Sequence, residues 1–132
     1  MLAGLIGIAV LPAAPAAFAA GPAGGFPGRY SNPFGSVTIR QTAAGFEVEI
    51  ATAEPKRGTW VCDFSESGRL SGGKIVIDYR PEAAPKDSAP VKVTLTLNNN
   101  LLTVDEQRGE RTADYCGFNG FIGGDYRRKA KH

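Results

Sequence analysis

Apolar and polar residues alternate along most of the chain beyond residue 33, and this period of two is typical of β-strands with one buried face. Residues 34–41, 46–51 and 91–97 show the pattern best, because each run places apolar side chains at every second position. Weaker runs complete a prediction of eight or nine short strands. The principal runs are residues 26–30, 34–41, 46–51, 59–64, 74–80, 91–97, 101–106 and 122–126.

The connections between these runs favour an antiparallel sheet in which each strand pairs with the next. Residues 42–45 end in a glycine and residues 98–100 are asparagines, and both residue types tolerate the backbone angles of tight turns. Residues 65–73 and 81–90 are predicted loops, and the second contains three prolines. We therefore predict an all-β domain, a small antiparallel up-and-down β-barrel of about eight strands, with a β-sandwich as the alternative.

The first residues depart from this pattern and have the features of a cleavable export signal. Residues 2–10 form an apolar run that is too short to span a bilayer, and residues 17–19 (Ala-Phe-Ala) fit the small-x-small rule for cleavage. We predict a signal peptide at residues 1–19, a flexible leader at 20–25, a single domain at 26–128 and a basic tail at 129–132. A periplasmic or secreted protein without a membrane span is expected.

Cys62 and Cys116 are the only cysteines, and an even number of cysteines in an exported chain predicts a disulfide. The chain-entropy model gives a bridge over a loop of this length about 4 kcal/mol of stabilisation. Cys62 shares a strand face with Trp60 and Phe64, so the bridge is predicted on the core side beside the only tryptophan. A zinc site or a catalytic thiol would need further ligands or a base, so no metal and no cofactor is predicted.

Charge and residue types argue against nucleic-acid binding and catalysis. With 15 basic and 13 acidic residues, the net charge of +2 is too small to predict a nucleic-acid partner. The single histidine is His132, at the end of the basic tail, which nearly excludes a Ser-His or Cys-His arrangement. Of the carboxylate pairs, Glu47 with Glu49 lies on the polar face of a strand, where charges are usually solvated, and Asp105 with Glu106 is no stronger a candidate. We therefore predict that the protein is not an enzyme.

The last part of the domain repeats a pattern from its beginning. Residues 122–126 and residues 26–30 share the order apolar residue, spacer, glycine, charged residue, tyrosine. In a strand, the apolar residue, the glycine and the tyrosine of each segment lie on one face. We interpret the two segments as the first and last strands of one sheet, paired with each other to close a barrel.

The turn after Cys116 is the best candidate for binding. Phe118 and Asn119 lie there between the last two strands, and an aromatic ring on a rigid turn is a good anchor for a protein partner. Alternatively, the Phe118 ring plugs the open end of the barrel. Arg57 and Arg69 lie in predicted loops, where they would either contact an acidic partner or be ordinary solvated charges.

The chain resembles small exported β-barrel proteins of Gram-negative bacteria that include the periplasmic lysozyme inhibitors. The shared features are the leader, the Trp-x-Cys strand at residues 60–62, its link to a late cysteine, and a closing run rich in glycine and aromatic residues at 116–126. That closing run is also similar to the ends of secreted proteins with no assigned activity. The loop motifs by which C-type lysozyme inhibitors enter the lysozyme cleft are missing, so the resemblance transfers no inhibitory residue.

Taken together, these patterns predict an exported monomer that binds a partner and does not catalyse a reaction. The most specific hypothesis is inhibition of lysozyme or another cell-wall hydrolase, with loops beside the disulfide in the enzyme's acidic cleft. The alternatives are a lipocalin-like carrier of a small apolar ligand and a structural envelope protein. A carrier needs a cavity inside the barrel, whereas an inhibitor needs a protruding loop over a solid core.

Overall fold

A computed structural model describes residues 25–80, 90–108 and 114–130. The predicted signal peptide, most of the predicted leader, most of the predicted loop at 81–90 and the last two residues of the predicted tail lie outside the described residues. Within the three described segments, no helix is long and apolar enough to cross a membrane.

Eight antiparallel strands form a closed barrel in which each strand pairs with the next and the last pairs with the first. They are β1 (Gly28–Asn32), β2 (Gly35–Thr42), β3 (Gly45–Ala53), β4 (Val61–Ser71), β5 (Lys74–Tyr79), β6 (Val91–Asn98), β7 (Leu101–Gln107) and β8 (Gly124–Arg128). Asn99 turns the chain between β6 and β7 with a φ of 59°, the left-handed angle that the asparagine run predicts. The predicted up-and-down barrel is therefore confirmed, and the sandwich alternative is wrong.

Inward-facing side chains fill the barrel. Along β3, Phe46, Val48, Ile50 and Thr52 are buried, while the residues between them are partly or fully exposed. The largest fully buried side chains are Tyr30, Tyr126, Phe26, Phe64, Ile39, Ile50, Ile75, Ile77, Leu95, Leu102, Ile122 and Val37. Because burial of one such apolar side chain is worth about 2 kcal/mol, this packed interior is the main source of stability.

The first and last strands contain two copies of one local motif. The Tyr30 hydroxyl donates to the carbonyl of Phe26 at 2.6 Å, and the Tyr126 hydroxyl donates to the carbonyl of Ile122 at 2.6 Å. Both tyrosines are buried, and the glycine two residues before each has a positive φ, 147° in one motif and 143° in the other. The sequence repeat is therefore a structural repeat, in which each ring is fixed to the backbone four residues earlier.

Pairing of β1 with β8 closes the barrel, with Tyr30 opposite Arg128. The Arg128 guanidinium lies 4.8 Å from the centre of the Tyr30 ring, and it donates to the carbonyls of Gly25 and Pro27. Gly28 leaves space for this side chain, since a Cβ at that position would lie 2.6 Å from a guanidinium nitrogen. The predicted pairing of the first and last strands is confirmed, and Arg128 fixes the residues that precede β1 to the seam.

The strand β4 is longer than the sequence predicts and extends past its neighbour β5. It pairs with β3 along eight residues but with β5 only along its last three, residues 69–71. The predicted loop at residues 65–73 is therefore wrong, because its serines are the outward-facing residues of a strand. Gly68 lies on the inner side, where a Cβ would come within 2.9 Å of Ile75 and Ile77. The result is a split in the barrel wall between the first part of β4 and the end of β5.

The Tyr126→Phe substitution tests the closing seam. Among the described residues, it removes the only hydrogen-bond donor to the buried Ile122 carbonyl, so we expect the free energy of unfolding to fall by about 1–3 kcal/mol. Burial, followed by the charge of Glu106, raises the pKa of Tyr126 to about 12. Since a free tyrosine titrates near about 10, the folded state holds this proton more tightly, and stability is lost as pH rises from about 10 to 12.

Urea unfolding of the oxidised protein at neutral and alkaline pH measures both effects. The Tyr126→Phe variant should be less stable at neutral pH and should lose less stability than the wild type across the alkaline range. Arg127→Gln, an exposed position in the same strand, serves as the control and should unfold like the wild type. An unchanged unfolding free energy in Tyr126→Phe would show that the hydroxyl does not hold the seam.

Candidate functional site

The end of the barrel at which β1, β3, β5 and β7 finish carries the disulfide, and we call it the disulfide end. It holds the turn at residues 33–34, the loop at 54–60 and the segment 114–123. Phe118, Asn119 and Arg57 all lie here. Three of the four predicted binding residues therefore belong to one end of the barrel.

Arg69 is separated from the other three. It lies near the opposite end, where β4 turns into β5. Its Nη1 is 3.4 Å from Oδ2 of Asp78, in an ion pair that is exposed to solvent on both sides. Arg69 cannot act in the same contact as Phe118, because almost the full length of β4 lies between them.

The disulfide joins Cys62 of β4 to Cys116, as the sequence predicts. Residues 115–117 run antiparallel to the start of β4: the Asp63 amide donates to the Tyr115 carbonyl at 2.8 Å, and the Gly117 amide donates to the Val61 carbonyl at 2.9 Å. This short segment lies beside the first three residues of β4, within the stretch that β5 leaves unpaired. The disulfide therefore holds residues 115–117, which we call the patch, over the split between β4 and β5.

Aromatic rings fill the space beneath the patch and close the barrel end. In the split, the rings of Phe64, Tyr79 and Tyr115 contact one another with centroids 5.0 to 5.8 Å apart. At the mouth, Phe121 packs edge-on against Phe34 and at a tilt against Trp60, with centroid distances of 5.0 and 4.9 Å. The rings of Phe34, Trp60 and Phe121 therefore close this end of the barrel, and Phe118 takes no part in closing it.

Glu106 fixes the segment to β7, and the sequence reasoning missed this role. Its side chain is only 5% exposed, and its carboxylate accepts from the amides of Ile122 and Gly123 at 2.9 and 3.2 Å. The same carboxylate accepts from the Tyr115 hydroxyl and lies 3.2 Å from Nε of Arg108. Burial, together with this hydrogen bond, raises the pKa of the Tyr115 hydroxyl.

The alternation of inward and outward residues along β7 indicates that the Glu106 side chain faces the interior. Leu102 and Val104 are buried in β7, and the next position on the same face is Glu106. A carboxylate on the inward face of an amphipathic strand predicts a buried acid that needs hydrogen-bond donors. It does not predict which donors, because they come from residues far along the chain.

Phe118 lies at the tip of a tight turn and is the most exposed large apolar side chain among the described residues. The Gly120 amide donates to the Gly117 carbonyl at 2.9 Å, and Asn119 has a φ of 70°, the pattern of a type II turn. Arg108 donates to the Gly120 carbonyl at 2.9 Å. The Phe118 side chain is nevertheless 82% exposed, so the alternative that it plugs the barrel is wrong.

Val61 adds a second exposed apolar side chain next to this turn. It is 59% exposed on the outer face of β4, and its backbone carbonyl accepts from Gly117. Gly117 also lies against Trp60, where a Cβ would be 3.6 Å from the tryptophan Cβ. Phe118 and Val61 therefore flank one backbone contact at the surface.

The loop at residues 54–60 is held in shape by its own first residue. The Glu54 carboxylate accepts from the amides of Lys56 and Gly58 at 3.1 and 2.9 Å, and also from the amide of Arg57. These backbone hydrogen bonds, that of Arg57 first, lower the pKa of the Glu54 carboxyl. The side chains of Lys56 and Arg57 are exposed on a loop whose backbone is already ordered.

The disulfide end presents exposed apolar and basic side chains that form a candidate binding surface. Within residues 25–80, 90–108 and 114–130, no three histidine, cysteine, aspartate or glutamate side chains come together in a group that would hold a metal ion. No protein-family model, no curated protein and no solved structure matches the chain.

Replacing the buried carboxylate tests how the segment is held. Glu106→Gln removes the charge from three hydrogen bonds and an ion pair, so we expect a loss of about 1–3 kcal/mol in the free energy of unfolding. Amide hydrogen exchange should accelerate at Ile122 and Gly123 while the exchange of β2 and β3 stays slow. The matched control is Asp105→Asn, an exposed carboxylate one position earlier in β7.

The control should change stability by less than about 0.5 kcal/mol. If Glu106→Gln and Asp105→Asn behaved alike in both measurements, the carboxylate would not be what fixes the segment.

Proposed function

We propose that this protein is an exported, non-catalytic binding protein that contacts a protein partner with its disulfide end. The observation that carries the proposal is the 82% exposure of Phe118 on a turn whose backbone is fixed at several points. A ring that is turned to solvent contributes little to folding. A fixed ring, however, loses little conformational entropy when a partner buries it.

Several contacts support the idea of a preformed anchor. The disulfide fixes the segment before the turn, Glu106 fixes the segment after it, and Arg108 holds the turn itself. Aromatic anchors supported in this way are typical of the few residues that dominate the energy of a protein interface. The neighbouring Val61 extends the apolar contact.

The most specific form of the proposal is inhibition of a cell-wall hydrolase such as lysozyme. Glycoside hydrolases act through two carboxylates that flank the bond to be cleaved, so their clefts carry negative charge. Arg57 and Lys56 lie on an ordered loop at the same end as Phe118 and could pair with such carboxylates. Export and a periplasmic or secreted location belong to this proposal and agree with the use of a disulfide.

A carrier of a small apolar ligand is a weaker proposal for this barrel. The inward positions hold tyrosine, phenylalanine and branched side chains that pack against one another as a single cluster. A ligand inside the barrel would have to displace part of that cluster, at a cost of several kcal/mol. We therefore place the binding function on the outside of the barrel, at its disulfide end.

A titration of lysozyme activity with the purified oxidised protein tests the proposal, using C-type lysozyme and other lysozyme classes. We expect stoichiometric inhibition of at least one class. Phe118→Ala should raise the inhibition constant about 30-fold or more, as expected for an interface anchor. Arg57→Gln should raise it about 3- to 10-fold and should weaken the dependence of the association rate on salt.

Arg69→Gln is the matched control, since it removes a guanidinium at the opposite end of the barrel and should leave inhibition unchanged. Equal loss from Arg57→Gln and Arg69→Gln would indicate a general charge effect. Absence of inhibition at micromolar excess with every class would remove lysozyme as the partner. Another protein partner, an apolar ligand and a structural envelope role would then remain to be tested.

A further inference from the structure

A shallow depression of about 300 Å³ lies on the outer face of β2, β3 and β4. Two rows of side chains cross the three strands there: Ser36, Ala51 and Asp63 form one row, and Thr38, Glu49 and Ser65 form the next. The residues at both rows are small except for the two carboxylates. The depression exists because serine, threonine and alanine leave space that larger outward side chains would fill.

The side chains that line the depression indicate which class of ligand it could bind. Three hydroxyl groups and two carboxylates line the depression, together with the methyl group of Ala51. Carboxylates disfavour phosphates and other anions, and no aromatic ring is present on which the face of a sugar would stack. Two carboxylates are also too few oxygen ligands for calcium. An organic cation with a short apolar stem fits what remains.

The two carboxylates differ in their partners. Glu49 forms an ion pair with Arg40 at 2.9 Å, whereas no ion pair of Asp63 is recorded among the described residues. On neighbouring strands, residues offset by two positions have Cβ atoms about 7 Å apart. A planar guanidinium presents five donors in a fork, so one group could contact Asp63 and reach the hydroxyls beside it.

The depression is continuous with the proposed binding end. Val61, Asp63 and Ser65 are successive outward residues of β4, and Val61 contacts the turn that carries Phe118. A partner that covers Phe118 and Val61 therefore extends naturally onto Asp63. We propose that the depression is a second contact site, which receives an arginine side chain of the protein partner.

This inference rests on the proposed binding function for its partner, but the site can be tested without one. L-Argininamide is the probe, and ¹H–¹⁵N NMR of the oxidised protein is the readout. We expect saturable shifts at the amides of Ser36, Ala51, Asp63 and Ser65. Asp63→Asn should weaken the binding about 3- to 10-fold, as expected when a charge-assisted pair is lost.

Two controls give the result its meaning. Asp105→Asn, an exposed carboxylate on β7, should leave the affinity for L-argininamide unchanged. Sodium acetate at the same concentration, an anion without a guanidinium, should not shift the four amides. Shifts that do not saturate, or that are the same in Asp63→Asn and the wild type, would overturn the site. The same shifts with calcium chloride at lower concentration would overturn the assignment to a guanidinium.

The two proposals fail separately. Lysozyme inhibition that is lost in Phe118→Ala but unchanged in Asp63→Asn, with no binding of L-argininamide, would remove the second contact site and keep the first. Saturable binding of L-argininamide without inhibition of any lysozyme would keep the depression as a guanidinium site and point to another arginine-bearing partner.

Discussion

The pairing of residues 115–117 with the start of β4 is the contact on which the rest of the architecture depends. Because β4 pairs with β5 along only three residues, the wall of the barrel would otherwise be open beside Val61, Cys62 and Asp63. Two backbone hydrogen bonds and the disulfide fill this place. By restricting the conformations of the unfolded chain, a disulfide over a loop of this length contributes about 4 kcal/mol of stabilisation. Here the disulfide also has a role in the folded barrel. It completes a wall that the strand ladder alone leaves unfinished.

The same constraint makes the disulfide end suitable for display. A segment that patches a wall has to be fixed at both ends, and here Cys116 fixes one side while Glu106 fixes the other. Gly120 must come so close to the bridge that a Cβ would lie 2.9 Å from the Cys62 sulfur. Between these anchors, residues 117–120 form a tight turn with Phe118 at its tip, and Phe121 packs inward against Phe34 and Trp60. Phe118 is exposed, and Phe34, Trp60 and Phe121 close the mouth without it.

The features that sequence predicts well here are those with a local cause. Alternation of side chains specifies a strand wherever one face is buried, and the repeat of an apolar residue, glycine and tyrosine marks the two strands that meet at the seam. The extent of β4 was not predictable in this way, because Ser65 and Ser67 are typical of loops as well as of the outer face of a barrel. Gly68 leaves the space that the side chains of Ile75 and Ile77 occupy, and only the pairing of β4 with β5 brings those side chains there.

The parts of the site that escaped prediction are those set by distant pairing. Arg57 and Arg69 look equivalent in the sequence, since each follows polar residues in a predicted loop. The direction of β4 carries them to opposite ends of the barrel. Glu106 likewise looks like the neighbour of Asp105, yet one carboxylate faces the core and the other faces solvent. In both cases the residue type indicates what the side chain can bind. Its position in the barrel depends on how the strands pair, which the local sequence does not show.

The charges around Phe118 suggest how one small surface could be selective. Lys56 and Arg57 lie on the loop beside the apolar pair, and Asp63, which has no ion pair among the described residues, lies on the outer face of β4 two residues after Val61. A partner that satisfies only one sign leaves the opposite charges desolvated without a counterpart, and that penalty opposes binding. Phe118 and Val61 alone would fit apolar pockets on many proteins. For the proposed binding function, opposite charges beside the apolar pair would restrict the partner to a surface that offers a carboxylate and a guanidinium at the matching separation.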